Sequence, residues 1–339
     1  MSTMLVRLSA VLALASLLAT LPAFGAQAVG VHRLVLADPV DGQREMSAVA
    51  FYPASGEPTR TELGLYQVDA GMDAPIATGH FPLVLLSHGN GGSPLAHHDL
   101  ATALARRGFV VLAVLHTGDN YKDQSRSGTL SNLYGRPLQL TAAIDAAEQD
   151  ALLAGSLDTE RVGVIGYSAG GETALILAGA QPEPERLRAY CRQWPDDDDA
   201  CGHAGELISD RDDLEAIADS RVSALMLMAP LGLMFGRKEL EPVQVPVLLY
   251  SGDDDRTLQL EQNAGALQRR LPNPPDFRLL PGAGHFVFMA PCSTEMDAML
   301  PQLCQDAEGV DRVAIHRQLN AEAVRFFTQT LSDLQTSAR

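Results

Sequence analysis

Gly166-Tyr167-Ser168-Ala169-Gly170 fits the pattern Gly-x-Ser-x-Gly, with the apolar run Arg161–Tyr167 before it and the Ala/Leu-rich stretch Gly170–Ala180 after it. A serine on so sharp a strand-to-helix turn projects its hydroxyl above a sheet, and the small flanking residues let strand and helix pass closely. The start of the following helix also favours negative charge developing beside it. Ser168 is therefore the candidate nucleophile. Serine is a poor nucleophile until a base takes its proton, and the base must be a histidine oriented by a carboxylate. In this context the expected chain order is Ser, acid, His. Three histidines follow Ser168. His203 lies in an Asp-rich segment and His316 in a helical pattern, whereas His285 follows a short strand-like run, Phe277–Leu280, and the turn Pro281-Gly282-Ala283-Gly284. A loop position just past a strand can reach over the sheet, so His285 is the expected base.

The acid should follow a buried strand between them. Val245–Tyr250 runs into Ser251-Gly252-Asp253-Asp254-Asp255, and any of the three aspartates could serve. Asp255 is preferred, because the chain must turn far enough to meet the imidazole. Asp253 and Asp254 read as turn formers or solvated acids, and the triplet lacks the partner ligands of a calcium loop. A tetrahedral intermediate also needs two backbone N–H donors. The residue after the nucleophile, Ala169, is one. The other is expected from the loop after the third strand, His88-Gly89-Asn90-Gly91-Gly92, with the Asn90 N–H as donor. That glycine run lacks the Lys-Ser/Thr ending of a phosphate loop. His88 reads as a brace for the loop, and His97 and His98 as surface or packing residues.

These residues need a scaffold, and the chain supplies one. Val31–Ala37 and Met46–Tyr52 read as an opening β pair, and Phe81–Ser87 as a strand buried on both faces. Leu95–Arg107 is helical up to Gly108, Phe109–Leu115 is a strand, and Gln139–Leu153 is helical. After the nucleophile turn come strands Val222–Met228 and Val245–Tyr250, helix Leu258–Arg270, the short strand Phe277–Leu280 and a C-terminal helix, Arg312–Leu331. Strands alternating with helices imply an α/β fold with a mostly parallel sheet covered on both faces. No repeat or flexible linker divides residues 29–339, which read as one domain. Two segments interrupt the alternation, about 182–220 and 286–311. The first reads equally as a lid or as a surface loop pinned by a disulfide, and the second as surface decoration. Tyr190, Trp194 and Tyr167 either line an apolar pocket or pack loops.

Composition narrows the class. The formal charge of the 339 residues is −17 and no Lys/Arg-rich run occurs, which excludes the counterion-displacing surface of a nucleic-acid binder. Leu8–Leu21 is apolar, preceded by the single charge Arg7 and followed by Pro22 and Ala26-Gln27-Ala28. That is the layout of a signal peptide, residues 1–28, and it is short for a membrane span. The mature protein is expected to be exported, periplasmic or secreted, with no stable membrane insertion. In an oxidising compartment the four cysteines suggest disulfides. Proximity favours Cys191–Cys201 and Cys292–Cys304 among three possible connectivities, and neither pair has zinc-site spacing.

The strings Phe81-Pro82-Leu83-Val84-Leu85-Leu86-Ser87-His88-Gly89-Asn90-Gly91-Gly92, Gly166-Tyr167-Ser168-Ala169-Gly170-Gly171, Tyr250-Ser251-Gly252-Asp253-Asp254-Asp255 and Gly282-Ala283-Gly284-His285-Phe286 together resemble the α/β-hydrolases. They resemble in particular the branch of predicted dienelactone hydrolases that is similar to platelet-activating-factor acetylhydrolases. The resemblance runs from about Val31 to the C-terminal helix. It implies the α/β-hydrolase fold with a mostly parallel eight-stranded sheet, no cofactor, nucleophile Ser168, base His285, and oxyanion donors Asn90 and Ala169. Its Gly-x-x-Asp pattern, laid on Gly252–Asp255, points to Asp255 as acid. Dienelactone hydrolases proper carry a cysteine nucleophile where this sequence has Ser168, which points instead to small-molecule carboxylic esters. An amidase or peptidase on the same fold, and an inactive ligand-binding protein using the same pocket, are the competing readings.

Overall fold

The computed structural model describes residues 28–202 and 207–332. The expected signal peptide lies outside the described residues except for Ala28, which opens the first strand opposite Ala54. His203 also lies outside them.

Among the described residues eleven strands occur in chain order. They are β1 (Ala28–Ala37), β2 (Glu45–Ala54), β3 (Thr61–Leu63), β4 (Tyr66–Val68), β5 (Gly71–Met72), β6 (Phe81–Ser87), β7 (Val110–Leu115), β8 (Leu157–Tyr167), β9 (Val222–Met228), β10 (Val247–Gly252) and β11 (Asp276–Leu280). Nine form one sheet in the order β11-β10-β9-β8-β6-β7-β2-β1-β5, and β3 and β4 form a separate hairpin. The expected eight strands are all in the large sheet. The ninth is β5, two residues that add to the edge of β1; so short a run carries no alternation by which a sequence betrays a strand. β6 through β11 run parallel, while β2 is antiparallel to both its neighbours, β1 and β7, and β5 is parallel to β1.

The central strands are continuous apolar runs because both faces are covered. Along β6, Leu83 and Leu85 enter one core while Val84 and Leu86 enter the other; along β9, Leu225 and Leu227 alternate in the same way with Met226 and Met228. The helices are α1 (His98–Ala105), α2 (Leu130–Ala147), α3 (Ala169–Leu177), α4 (Pro184–Gln193), α5 (Asp198–Cys201), α6 (Arg237–Leu240), α7 (Ala264–Arg270), α8 (Thr294–Met299), α9 (Pro301–Cys304) and α10 (Arg312–Ser332). α1 and α10 cover one face, and α2 and α3 the other. α2 starts nine residues before the expected Gln139 and runs straight through Pro137. A proline that usually ends a helix is carried here by a Thr129 cap and by burial of Leu133, Leu140 and Ile144. Among the described residues no helix is long and apolar enough to cross a membrane.

Register brings the strand ends to one edge. Ser87 pairs with Gly166, Tyr167 with Met228, Met228 with Tyr250, and Gly252 with Leu280. The loops after β6, β8, β10 and β11 therefore emerge side by side, at the carboxyl ends where open α/β sheets carry their sites.

Candidate active site

Ser168 sits between β8 and α3 with φ 54° and ψ −120°, left-handed backbone for a residue with a Cβ. Such a conformation costs roughly 1–3 kcal/mol and persists only where the surroundings impose it. Here they do. The Ser168 N–H donates to the Met228 carbonyl at 3.0 Å, and its own carbonyl accepts from Gly171 and Leu231 at 2.9 and 3.0 Å. The neighbouring glycines have no room for a side chain. A Cβ at Gly166 would lie 2.2 Å from the Gly170 oxygen, and one at Gly170 would lie 2.0 Å from the Ser87 oxygen. The serine hydroxyl thus stands on a turn that only this small-residue sequence permits.

His285 begins a short 3-10 turn, His285–Phe288, just past β11. Its Nδ1 lies 2.8 Å from Asp255 Oδ2, with both side chains almost wholly buried. The other Asp255 oxygen accepts the N–H groups of Thr257 and Leu258 at 3.0 and 2.8 Å. A carboxylate held by two backbone donors and facing a ring nitrogen has one orientation. The companion acids are engaged elsewhere. Asp253 accepts the Gly282 N–H at 2.6 Å and so ties down the turn that leads to His285, while Asp254 pairs with Arg256 on the surface. Gly252 allows that turn to close, because a Cβ there would meet the Ala283 oxygen at 2.0 Å.

The histidine turn is pinned from behind. His316 bridges Asp99 and the Val287 carbonyl, at 2.7 and 2.8 Å, and His97 donates from Nδ1 to the Phe288 carbonyl at 2.8 Å. Burial pushes the pKa of His97 down to about 4, which keeps it a neutral donor. It is a buried packing residue, its ring 5.0 Å from that of Tyr167. The Tyr167 hydroxyl in turn donates to the His285 carbonyl at 3.2 Å. The residue before Ser168 and the backbone of His285 are thereby joined.

The glycine-rich loop lies against the serine. A Cβ at Gly89 would be 3.1 Å from the Ser168 Cβ. Asn90 is exposed at the loop's crest, and Ala169 is the buried first residue of α3. His88 braces the loop as expected, with Nδ1 donating to the Gly89 carbonyl at 2.7 Å and Nε2 accepting the His116 N–H at 3.2 Å. Beneath it lies a buried ion pair that sequence reasoning missed, Arg136 with Asp119 at 2.7 Å. Its only advance signal was the i, i+4 spacing of Asn132 and Arg136 on what proves to be α2.

A cavity of about 970 Å³ opens beside this loop. One wall is Tyr167, Phe286 and residues 88–93. The others are the β3–β4 hairpin, through Leu63, Leu65 and Tyr66, and the segment after β11, through Met289, Met296, Leu300 and Leu303. Segment 286–311, expected as decoration, is therefore a wall of the cavity, because the short helices α8 and α9 turn their Met and Leu side chains inward. Segment 182–220 is not among the lining residues. Its apolar residues Leu187, Ala200 and Leu207 are buried in the core on the α2–α3 side of the sheet. Tyr190 there bonds Asp197 at 2.6 Å, and Trp194 is 48% exposed, so of the three aromatics only Tyr167 lines the cavity. The disulfides are Cys191–Cys201 and Cys292–Cys304, the second clasping the cavity wall across α8 and α9.

Comparison with known proteins follows the same lines. The family model of platelet-activating factor acetylhydrolase, isoform II, matches residues 51–131, which run from β2 through the glycine-rich loop to the start of α2. A ferulic acid esterase from Streptomyces cinnamoneus is similar in structure, with TM-score 0.62 over 92% of each chain and 20% sequence identity. No curated protein matches the sequence.

Proposed function

We propose that the chain, on its α/β-hydrolase fold, cleaves carboxylic esters through an acyl-Ser168 intermediate. The observation that carries this reading is the buried His285–Asp255 pair, whose imidazole packs on Tyr167, the residue before a serine held at φ 54°. Backbone strain falls on Ser168, and burial and a fixed orientation on the His285–Asp255 pair. His285 Nε2 takes the Ser168 proton as Oγ attacks the ester carbonyl, and Asp255 holds the ring with Nδ1 protonated. The N–H groups of Asn90 and Ala169 receive the oxyanion. The imidazolium then returns its proton to the leaving alkoxide, which departs as the alcohol. Water, deprotonated by His285, attacks the acyl-serine; the acid leaves and Ser168 regains its proton.

The large apolar cavity beside the loop suits a small-molecule ester with a bulky apolar group. The match to platelet-activating factor acetylhydrolase and the likeness to a ferulic acid esterase support ester over amide. Two disulfides support an oxidising compartment, and with the apolar N-terminal stretch we assign the protein to the exported class, periplasmic or secreted.

Hydrolysis of p-nitrophenyl acetate, butyrate and octanoate by the parent and by Ser168→Ala tests the reading. The variant should lose about 10⁴-fold or more in kcat. Equal rates for the two proteins would remove Ser168 from the mechanism, and equal inactivity would remove esters of this kind.

The disulfide at the cavity wall has a separable role. Replacing Cys292 and Cys304 together by serine opens a twelve-residue loop and should lower stability by about 3 kcal/mol. Because the clasped segment lines the cavity, KM for the octanoate should rise more than KM for the acetate, with kcat little changed. Thermal melts and a chain-length series check both parts. A uniform fall in kcat would place the clasp in the catalytic geometry instead.

A further inference from the structure

We infer that Asp119, clamped by Arg136 and Asn132, is a positioning residue that aims the Asn90 N–H at the oxyanion. The inference rests on the ester-hydrolase reading above and assigns work to a buried network outside the triad.

Asp119 follows β7 and its side chain is fully buried. Oδ1 accepts the Gly91 N–H at 2.8 Å, and Oδ2 accepts from Asn132 Nδ2 at 3.0 Å and from Arg136 Nη1 at 2.7 Å. The second terminal nitrogen of Arg136 donates to the His88 carbonyl and to the Ser87 hydroxyl. One ion pair therefore grips the loop on both sides of Asn90, at the His88 carbonyl and at the Gly91 amide. Between those grips the Gly89 carbonyl accepts from His88 Nδ1 and from the Gly92 N–H, at 2.7 and 3.1 Å. A trans peptide directs its carbonyl and its N–H to opposite sides. With the Gly89 oxygen turned into the loop, the Asn90 N–H must face outward, on the side of the cavity. Gly91, at φ 59°, then turns the next peptide back so that its own N–H meets Asp119.

Charge matters as much as direction. A lone carboxylate one peptide from the oxyanion would oppose the charge forming there. Arg136 cancels it. Glu172, in the first turn of α3 and within the electrostatic reach of both, is buried and its pKa is pushed up to about 8, so it adds no second anion at neutral pH. The pair thus supplies a fixed acceptor for Gly91 at no net negative charge. Buried ion pairs are weak contributors to stability, so a task in positioning accounts for this one better than a task in holding the fold.

Asp119→Ala should lower kcat for p-nitrophenyl butyrate by about a hundredfold, the loss typical of a missing oxyanion donor, with KM within about twofold of the parent. Inhibition by an alkyl trifluoromethyl ketone, whose adduct with Ser168 carries the oxyanion, should weaken by the same factor, while a fluorophosphonate still labels one serine per chain at end point. A kcat within about threefold of the parent, or a KM effect with unchanged ketone inhibition, overturns the inference. Should Asp119→Ala fail to fold in a thermal melt, Asn132→Ala carries the test. It removes one neutral hydrogen bond to the same carboxylate and should lower kcat roughly fivefold at constant KM; an unchanged kcat overturns the inference. If the parent itself is not labelled at Ser168, it is the ester-hydrolase reading that has failed. If the parent is labelled and Asp119→Ala retains full kcat, only the role of Asp119 falls.

Discussion

Asp255→Asn should lower kcat toward p-nitrophenyl esters by about 10⁴-fold while leaving the protein folded. The size of the effect comes from a tautomer. The Asp255 oxygen that accepts from Thr257 and Leu258 would be matched by the asparagine oxygen, which fixes the amide group the other way round toward His285. The ring nitrogen now 2.8 Å from Asp255 would meet an N–H donor instead of an acceptor. His285 would answer by moving its proton to Nε2, where it can no longer take one from Ser168. Because the asparagine keeps both backbone hydrogen bonds, the melting temperature should change little. Rates measured from pH 6 to 9 with a parallel melt decide the matter. A loss of less than about a hundredfold would mean that the buried pair serves the fold and not the chemistry.

Glu172→Gln should stabilise the protein, and increasingly so as pH rises. Burial raises the Glu172 carboxyl from its ordinary 4.5 to about 8 against the opposing pull of Arg136. In the folded chain it keeps its proton through the range in which the unfolded chain has already released it. The unfolded state therefore binds fewer protons between pH 4.5 and 8, and stability falls with rising pH across that window. The contribution is fully present below pH 4.5 and is lost by about pH 8. At roughly 1.4 kcal/mol per pH unit, the loss is on the order of 5 kcal/mol. A glutamine of the same shape does not titrate. Urea unfolding at pH 5, 6, 7 and 8 should show variant and parent close together at the acid end and diverging steadily, with the variant more stable. Parallel curves would mean that Glu172 is already ionised in the folded chain, paired with Arg136.

The placement of Ser168, Asp255 and His285 at the strand ends was more legible in the sequence than the cavity beside them. Ser168 announces itself because a strained turn tolerates few residues, so Gly166, Gly170 and Gly171 are dictated by backbone contact. Asp255 and His285 follow from strand ends that must fall in register. The cavity walls obey no such rule. The β3–β4 hairpin has three residues per strand, too few for an alternation to be read. Met289, Met296, Leu300 and Leu303 fall at helix-like intervals of seven, four and three, but the chain there is a loop and two helices of a turn or so each, so the period suggests a single helix that does not form. The acidic insertion, with its lone tryptophan, looked the better lid but spends its apolar side chains on the core. Pro137 concealed the first two turns of α2, and with them the face that carries Asn132 and Arg136. The partnership of Asp119 and Arg136 rests on a contact between a loop and a helix seventeen residues apart, for which side-chain type alone offers no cue.

The arrangement of the cavity bears on how such a protein can change over generations. Ser168, Asp255 and His285 stand on the rigid carboxyl edge of the sheet, while much of the chamber is built from the β3–β4 hairpin and from the stretch clasped by Cys292–Cys304. Those two pieces are short excursions whose ends are anchored independently, one by neighbouring strands and one by a covalent clasp. Insertions, deletions and residue exchanges within them can accumulate without disturbing register at the carboxyl edge of the sheet. On the ester-hydrolase reading, preference for one substrate over another is a separately heritable trait, able to drift or be selected while the bond-breaking apparatus stays as it is.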